Sequence, residues 1–479
     1  MVMNMDSDDQ IRSSLLFWDS VCRKEDPLSN YAVIEDSMTL LRYILDSNID
    51  AQAIFSSTDN FDRFLRNFQS RVSRANAQIT VEQSRILSGE MGVLFSYFAS
   101  RSLPSSLKSL LAKKDGETSP VLITWLLSLV QIQGNLEDYA FSSAAWDCLL
   151  EISKLPTMKD DVLRSKILIQ GQSAPIQLGS LYIALTSRDV THQMSSMRFC
   201  VRALWRDEVM QDQCVKQLFS SSNAGALLFG ETKTVFDLLL RSRCLMCLAP
   251  LSMRKTNREK LQLIQSNGKH LVSLCSEILS RTILQFGKVV ESSEICLNCS
   301  IFAACITQDS PETIGRFLKC ISEKPFLVGV LLSESQFGDN EGIIKGVCSL
   351  ILGLCLDAPD GTGIDPKLLE TTIKDRIGLS KFIAHLNYLQ DQTSEFDKEY
   401  LFDGIIPADI FGVFVSKVKS RFYPVSFHAC SNMMSSVSNQ NVFKCRMRFK
   451  HSANRPKMSS IISVRNPGME YNQPGCYYA

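Results

Sequence analysis

Apolar residues recur along this chain with the period of an α-helix, and that spacing restricts the fold more than any other feature of the sequence. Phe61, Phe64, Leu65 and Phe68 fall at i, i+3, i+4 and i+7, the positions that share one face of a helix. Leu87, Met91, Leu94 and Phe98 repeat the stripe, as do Leu271, Leu274, Cys275 and Ile278. Ile314, Phe317, Leu318 and Ile321 form a further one, and Leu379, Phe382, Ile383, Leu386 and Leu389 a later one. Between these amphipathic segments lie runs that are apolar on nearly every side, at 121–130, 235–248 and 343–356. A helix of that kind must be covered by more than one neighbour. No run of alternating apolar residues reads as a strand, so the expected class is all-α.

Amphipathic helices alternating with almost fully apolar ones fit stacked layers, in which inner helices are covered by neighbouring repeats and outer ones keep a wet face. The apolar centres return every 25–50 residues or so, as in armadillo- and HEAT-type units. A single irregular helical domain is the rival, but 479 residues exceed what one hydrophobic core usually serves. The expectation is an armadillo/HEAT-like α-solenoid over 15–420, preceded by a disordered N-terminus, 1–14. Polar connections are expected at 101–119, 154–175, 357–365 and 391–400, with Pro407 in the first turn of a helix over 407–418.

Composition narrows the function classes. Fifty-one Lys and Arg stand against 50 Asp and Glu, a net charge of +1, which supplies no overall field for nucleic acid or an anionic membrane. The opening MVMNMDSDDQ lacks the basic and apolar regions of a secretory signal. The longest apolar runs, 121–130 and Ile343 to Leu356, fall short of the ~20 residues of a membrane span. A reducing cytosol is the expected compartment, with the 16 cysteines serving mostly as small buried hydrophobes. After residue 420 the chain changes character. Residues 421–479 carry eight Lys and Arg against one acid, Glu470, a net +7 that leaves −6 for the rest. Nine serines and few aliphatics in register mark a basic, disordered, solvated tail.

The residues that could carry chemistry do not assemble into a motif. Cys244-Leu-Met-Cys247 and Cys296-Leu-Asn-Cys299 are two CxxC pairs, but 48 residues separate them, where a compact zinc site wants about 15–20. Each pair sits in an apolar helical stretch, where i and i+3 place both sulfurs on the packed face. Of His192, His270, His385, His428 and His451, none lies in HExxH or beside a nucleophile elbow. A Ser-His-Asp set could still assemble in space. Gly361-Thr-Gly363 lacks the Walker lysine, and Asp357, Asp360 and Asp365 miss the EF-hand spacing. Gly346 and Gly353 are placed to let two helices approach closely. The expectation is no enzyme, with no catalytic, cofactor or metal residues.

The region 296–418 resembles a known family. Glu323-Lys-Pro-Phe-Leu-Val-Gly-Val-Leu-Leu332 is followed by Glu341-Gly-Ile-Ile-Lys-Gly-Val-Cys-Ser-Leu-Ile-Leu-Gly-Leu-Cys355, then by Lys374-Asp-Arg-Ile-Gly378 and Phe382-Ile383. This order resembles the end of the globular head of the general vesicular transport factors, the vesicle tethers of the ER-to-Golgi route. There, an xPFLxxxL segment precedes a GLCxxLLG helix and an xxRIG element. Tyr400-Leu-Phe-Asp403 and the helix to Val418 look like the junction with that family's coiled coil, and Glu35 to Leu45 with Phe55 and Phe61–Phe68 look like one of its mid-head repeats.

The resemblance implies a non-enzymatic scaffold for tethering transport vesicles in ER-to-Golgi and intra-Golgi traffic, cytoplasmic and peripheral on Golgi and vesicle membranes. It implies a small Rab-type GTPase, golgins and SNARE machinery as partners, and a parallel homodimer. The first head repeats are expected to be missing before Met1. The coiled coil is expected to be replaced by the basic tail, where no heptad repeat is readable and Pro424 interrupts, so the dimer is expected to be lost. The alternative is a generic armadillo/HEAT-type cytosolic adaptor unrelated to trafficking.

Overall fold

The computed structural model describes Ser13 and residues 31–422, apart from 47, 58, 76–78, 102, 116–118, 132–139, 170, 206, 221–227, 231, 267, 309, 323–325, 334–336, 358–364, 395–399 and 402–405. The expected N-terminal segment (save Ser13) and the basic tail beyond Phe422 lie outside these residues, as does the Gly361–Gly363 turn. All described residues belong to one unit, Met1–Tyr423.

The unit is an all-α solenoid. Its helices are α1 (Tyr31–Leu45), α2 (Ile49–Ser56), α3 (Asp59–Ala75), α4 (Val81–Ser100), α5 (Ser105–Ala112), α6 (Val121–Gln131), α7 (Ala140–Ser153), α8 (Lys159–Arg164), α9 (Ile176–Thr186), α10 (Val190–Leu204) and α11 (Glu208–Ser220). They continue as α12 (Val235–Leu248), α13 (Lys255–Leu263), α14 (Leu271–Phe286), α15 (Glu291–Thr307), α16 (Pro311–Ser322), α17 (Phe326–Leu332), α18 (Glu341–Cys355), α19 (Pro366–Thr371), α20 (Leu379–Ser394) and α21 (Ala408–Phe422).

One set of helices stacks into a spine: α1 on α4, α4 on α7, α7 on α10, α10 on α12, α12 on α15, α15 on α18, and α18 on α20 and α21. These helices begin at Tyr31, Val81, Ala140, Val190, Val235, Glu291 and Glu341, so the spine returns every 45–59 residues. That is slightly longer than the ~40–47 residues of HEAT and armadillo units. The apolar runs explain the stacking. Within α12 the residues from Leu238 to Leu248 are buried except Arg241, and in α15 those from Ile295 to Thr307 are all buried, because each helix has a neighbour on both sides of the stack. Two apolar clusters line the array. One runs from Met38 to Ile176 and includes Phe199 and Ala203; the other runs from Leu181 to Val418.

Local chemistry sets the helix ends. Thr80 and Gln83 form a reciprocal capping box on α4, and Thr234 with Asp237 does the same on α12. Asn48 caps α2, Asp189 caps α10, and Asp365 followed by Pro366 opens α19. The aromatic stripe of α3 packs as expected: Phe55 meets Phe61 edge-on at 5.7 Å between centroids, and Phe61 lies 5.1 Å from Tyr97 of α4.

Four small antiparallel ribbons, unexpected from the sequence, punctuate the described array: β1–β2 (Lys114–Asp115 with Ser119–Pro120), β3–β4 (Lys166–Ile169 with Gln172–Pro175), β5–β6 (Gln265–Ser266 with Lys269–His270) and β7–β8 (Tyr400–Leu401 with Ile406–Pro407). Each leads directly into a helix: α6, α9, α14 and α21. In two of them a glycine takes the left-handed backbone of the tight turn, Gly171 at φ 79° and Gly268 at φ 75°. Pro407 ends β8 instead of sitting in a first helical turn, and the helix runs from Ala408 to Phe422 instead of stopping at 418. The stretch 101–119 is likewise not only a connection. It contains α5, whose Leu107 and Leu111 are buried.

Candidate functional site

The residues singled out in the sequence are spread through the core. Cys244 and Cys247 lie on α12, Cys296 and Cys299 on the next spine helix, α15, and all four are buried. Burial pushes the Cys244 thiol up to about 11 and the Cys296 thiol up to about 12, with Cys247 and Cys299 also held well above the ordinary thiol range. Each pair makes its own neighbours. Gln193 donates to the Cys244 sulfur at 3.8 Å, Cys247 adjoins Cys200, and the Cys275 thiol donates to the Cys299 carbonyl at 3.4 Å. Among the described residues no group of three or more His, Cys, Asp or Glu side chains is placed to hold a metal ion.

A buried Ser-His pair does come together, while Asp189 serves as the helix cap of α10. Ser142 Oγ lies 3.0 Å from His192 Nε2, and the backbone N–H of His192 donates to Asp189 Oδ1 at 2.6 Å. Ser142 is 1% exposed and His192 7% exposed, so the pair fastens α7 to α10 inside the stack. Burial, partly countered by Asp189, pushes the imidazole down to about 4, so it is neutral at pH 7. His270 precedes α14, with Nδ1 3.3 Å from the Gln262 carbonyl. His385 sits half-buried on α20, lowered first by burial and then by Lys345. His428 and His451 lie outside the described residues. Asp357 pairs with Lys417 and Arg421 of α21, Asp365 caps α19, and Asp360 lies outside.

A groove forms instead where α14 ends against α17. Its volume is about 440 Å³, within the 300–1,000 Å³ range typical of binding clefts. Ile283, Val330 and Phe337 make the buried floor, Phe286 and Val289 the half-buried sides, and Leu284, Gln285 and Lys288 the exposed rim. Leu284 is 66% exposed, with Leu332 (52%) and Val290 (83%) also bare on the adjoining helix end and turn.

The local sequence builds this shape. Gly287 follows the last residue of α14, and any Cβ there would lie 2.4 Å from the Phe337 ring, so the ring lies directly on the turn. Asn340 Nδ2 donates to the carbonyls of Gly287 (3.2 Å) and Val289 (2.7 Å), while its Oδ1 accepts from Ser293 Oγ at 2.5 Å. Lys345 Nζ donates to the Ser333 carbonyl at 2.9 Å and pairs with Glu341 at 2.6 Å, fixing the far end of α17. Gly329 faces the opening, and a Cβ built there meets no heavy atom within 4 Å. Lys288 is exposed and has no hydrogen-bond or ion-pair partner among the described residues.

The motif-bearing segments converge here. Of the 323–332 segment, Leu327, Val330 and Leu331 pack inward, while Gly329 and Leu332 face out. The same helix α17 also packs against a π-helical turn, Thr372–Gly378, that carries the Arg-Ile-Gly sequence. Ile377 is buried, Arg376 is exposed, and Gly378 breaks the turn at φ 87°, a conformation that excludes most side chains. Gly342, Gly346 and Gly353 let α18 lie close against its neighbours. Gly342 faces the Tyr388 ring, Gly346 faces Leu389 and the His385 carbonyl, and Gly353 faces Val418.

No family model matches the chain, and no curated protein matches it. A solved structure titled "Crystal structure of Uso1-2" aligns at 12% identity and a TM-score of 0.48, covering 88% of this chain and 69% of that one. A likeness at that level assigns neither family nor function.

Proposed function

We propose that the chain is a non-enzymatic scaffold in the tethering of transport vesicles between ER and Golgi and within the Golgi, binding protein partners on the surface of its helical array. The observation that supports this reading is the groove at the end of α14. The segments whose sequence resembles the tethering head, 323–332 and 341–355, supply its wall and brace its far end. A solenoid offers partners a long surface on rigid helices, and affinity comes from a few apolar and charged anchors on it. The partners proposed are a small Rab-type GTPase, golgins and SNARE machinery, and the location proposed is cytoplasmic, peripheral on Golgi and vesicle membranes. No catalytic role is proposed, since the Ser142–His192 pair is sealed within the stack.

The test is location in cells. Tagged full-length chain should collect at early Golgi membranes and redistribute when Rab activation is blocked. A diffuse distribution with the protein folded would refute the reading and favour a generic adaptor.

A further inference from the structure

We propose that the groove between α14 and α17 is a docking site for a short helical peptide of a partner protein. That peptide carries a bulky aliphatic or aromatic side chain with an Asp or Glu within one turn of it. The inference deepens the scaffold reading above and rests on it. The size and lining fix the apolar half. A cleft of about 440 Å³ lined by Ile283, Phe286, Val289, Val330 and Phe337 has room for a large apolar side chain. The exposed Leu284 on the rim and Leu332 at the end of α17 add apolar surface that a second side chain of the same peptide would cover.

The acidic half follows from charge. Among the described lining residues the ionisable side chain is Lys288, exposed and without an ion-pair partner among the described residues. The lining carbonyl of Gly287 is already taken by Asn340, and the Ser333 hydroxyl donates to the Val330 carbonyl at 2.8 Å. Among the described lining residues the rim therefore presents an unspent ammonium and no carboxylate, which favours an acidic group over a base at that edge. The Asn340 clamp and the Lys345–Ser333 bond hold the walls in place before binding, so little ordering remains when a peptide enters.

Gly329 supplies the test, because space beyond its α-carbon is open. A random 16-residue peptide library displayed on phage is selected against the full chain, and one enriched peptide is measured by fluorescence polarisation. Enriched peptides should share a Leu, Met, Phe or Trp with an acid three or four positions away. Gly329→Trp should weaken the measured peptide tenfold or more, with its circular dichroism unchanged. Lys288→Glu, at an exposed site, should weaken it comparably and, in a fresh selection, favour Lys or Arg at the acid's place. No enrichment, enrichment without an acid, or binding that survives both substitutions would overturn the proposal. A change in sedimentation of the free chain on Gly329→Trp would also overturn it, assigning the groove to contact between copies. Failure of the trafficking reading shows separately, as a diffuse cellular distribution that the peptide measurement does not register.

Discussion

Two glycines in helices one loop apart should respond to the same substitution with opposite signs. In the interior of α18, Gly346 faces α20, and a Cβ added there would sit 2.7 Å from Leu389 Cβ, 3.0 Å from the His385 carbonyl oxygen and 3.3 Å from Leu389 Cγ. Neither nearest atom is the free end of a flexible side chain, so the helices must separate or tilt. Overpacking of this kind costs about 1–3 kcal/mol. Helix propensity works the other way, since Ala is favoured over Gly in a helix interior by about 0.5–1 kcal/mol. The steric cost wins, and Gly346→Ala should lose about 0.5–2 kcal/mol net. At Gly329 in α17 no atom lies within 4 Å of the added carbon, so only the propensity acts. Gly329→Ala should therefore gain up to about 1 kcal/mol. Urea unfolding followed at 222 nm reads both, with an unchanged slope confirming that the midpoint shift reports stability. Gly346→Ala as stable as wild type would show that α18 and α20 are not in close contact, and the stacking of the last repeats would be wrong.

Further outcomes follow from the core. Leu350 is fully buried in α18, so Leu350→Asp should cost about 4 kcal/mol or more, from lost apolar burial and a desolvated carboxyl; a melting temperature near wild type would contradict its burial. The neutral His192, lowered to about 4 from 6.5, contributes stability that is full above pH 6.5 and is lost as pH falls through about 4. Glu90, raised by burial to about 7 from 4.5 despite Arg71 beside it, acts in the opposite sense. Its contribution is full below pH 4.5 and is lost as pH rises through about 7. Against wild type, His192→Gln should flatten the acid-side loss and Glu90→Gln the loss toward neutral pH, in urea midpoints taken from pH 4.5 to 8. The described cysteines in the core, all buried, should react with a thiol reagent only as the chain unfolds; rapid labelling of Cys244 or Cys296 in the native protein would refute their placement.

The helices were legible because burial leaves a periodic record. Leu87, Met91, Leu94 and Phe98 are all buried on α4, and Phe382, Leu386 and Leu389 on α20, as their spacing predicts. The close approach at Gly346 and Gly353 was also readable, since a small residue every second turn of an apolar helix has few other uses. The ribbons were not read, because strands of two to four residues are too short to show alternation. A signal was nonetheless present: Asp115-Gly116, Gln170-Gly171, Asn267-Gly268 and Asp403-Gly404 each stand just before a helix, and X-Gly pairs of this kind favour hairpin turns. The groove was not legible at all. It depends on Phe337 lying on Gly287 and on Asn340 reaching across to the 287–289 turn, contacts between segments some 50 residues apart that no local pattern encodes.

Nucleotide-dependent binding tests the account's central claim most directly. Full-length chain is immobilised and presented with a panel of small Rab-type GTPases, each loaded with a non-hydrolysable GTP analogue or with GDP, and retention is measured. The proposed tethering role predicts that at least one ER–Golgi Rab is retained in the GTP form and released in the GDP form, because a chain in that role would recognise the active state of the GTPase on its membrane. Retention that is absent across the panel, or equal in the two nucleotide states, from a chain whose circular dichroism is helical, would contradict it.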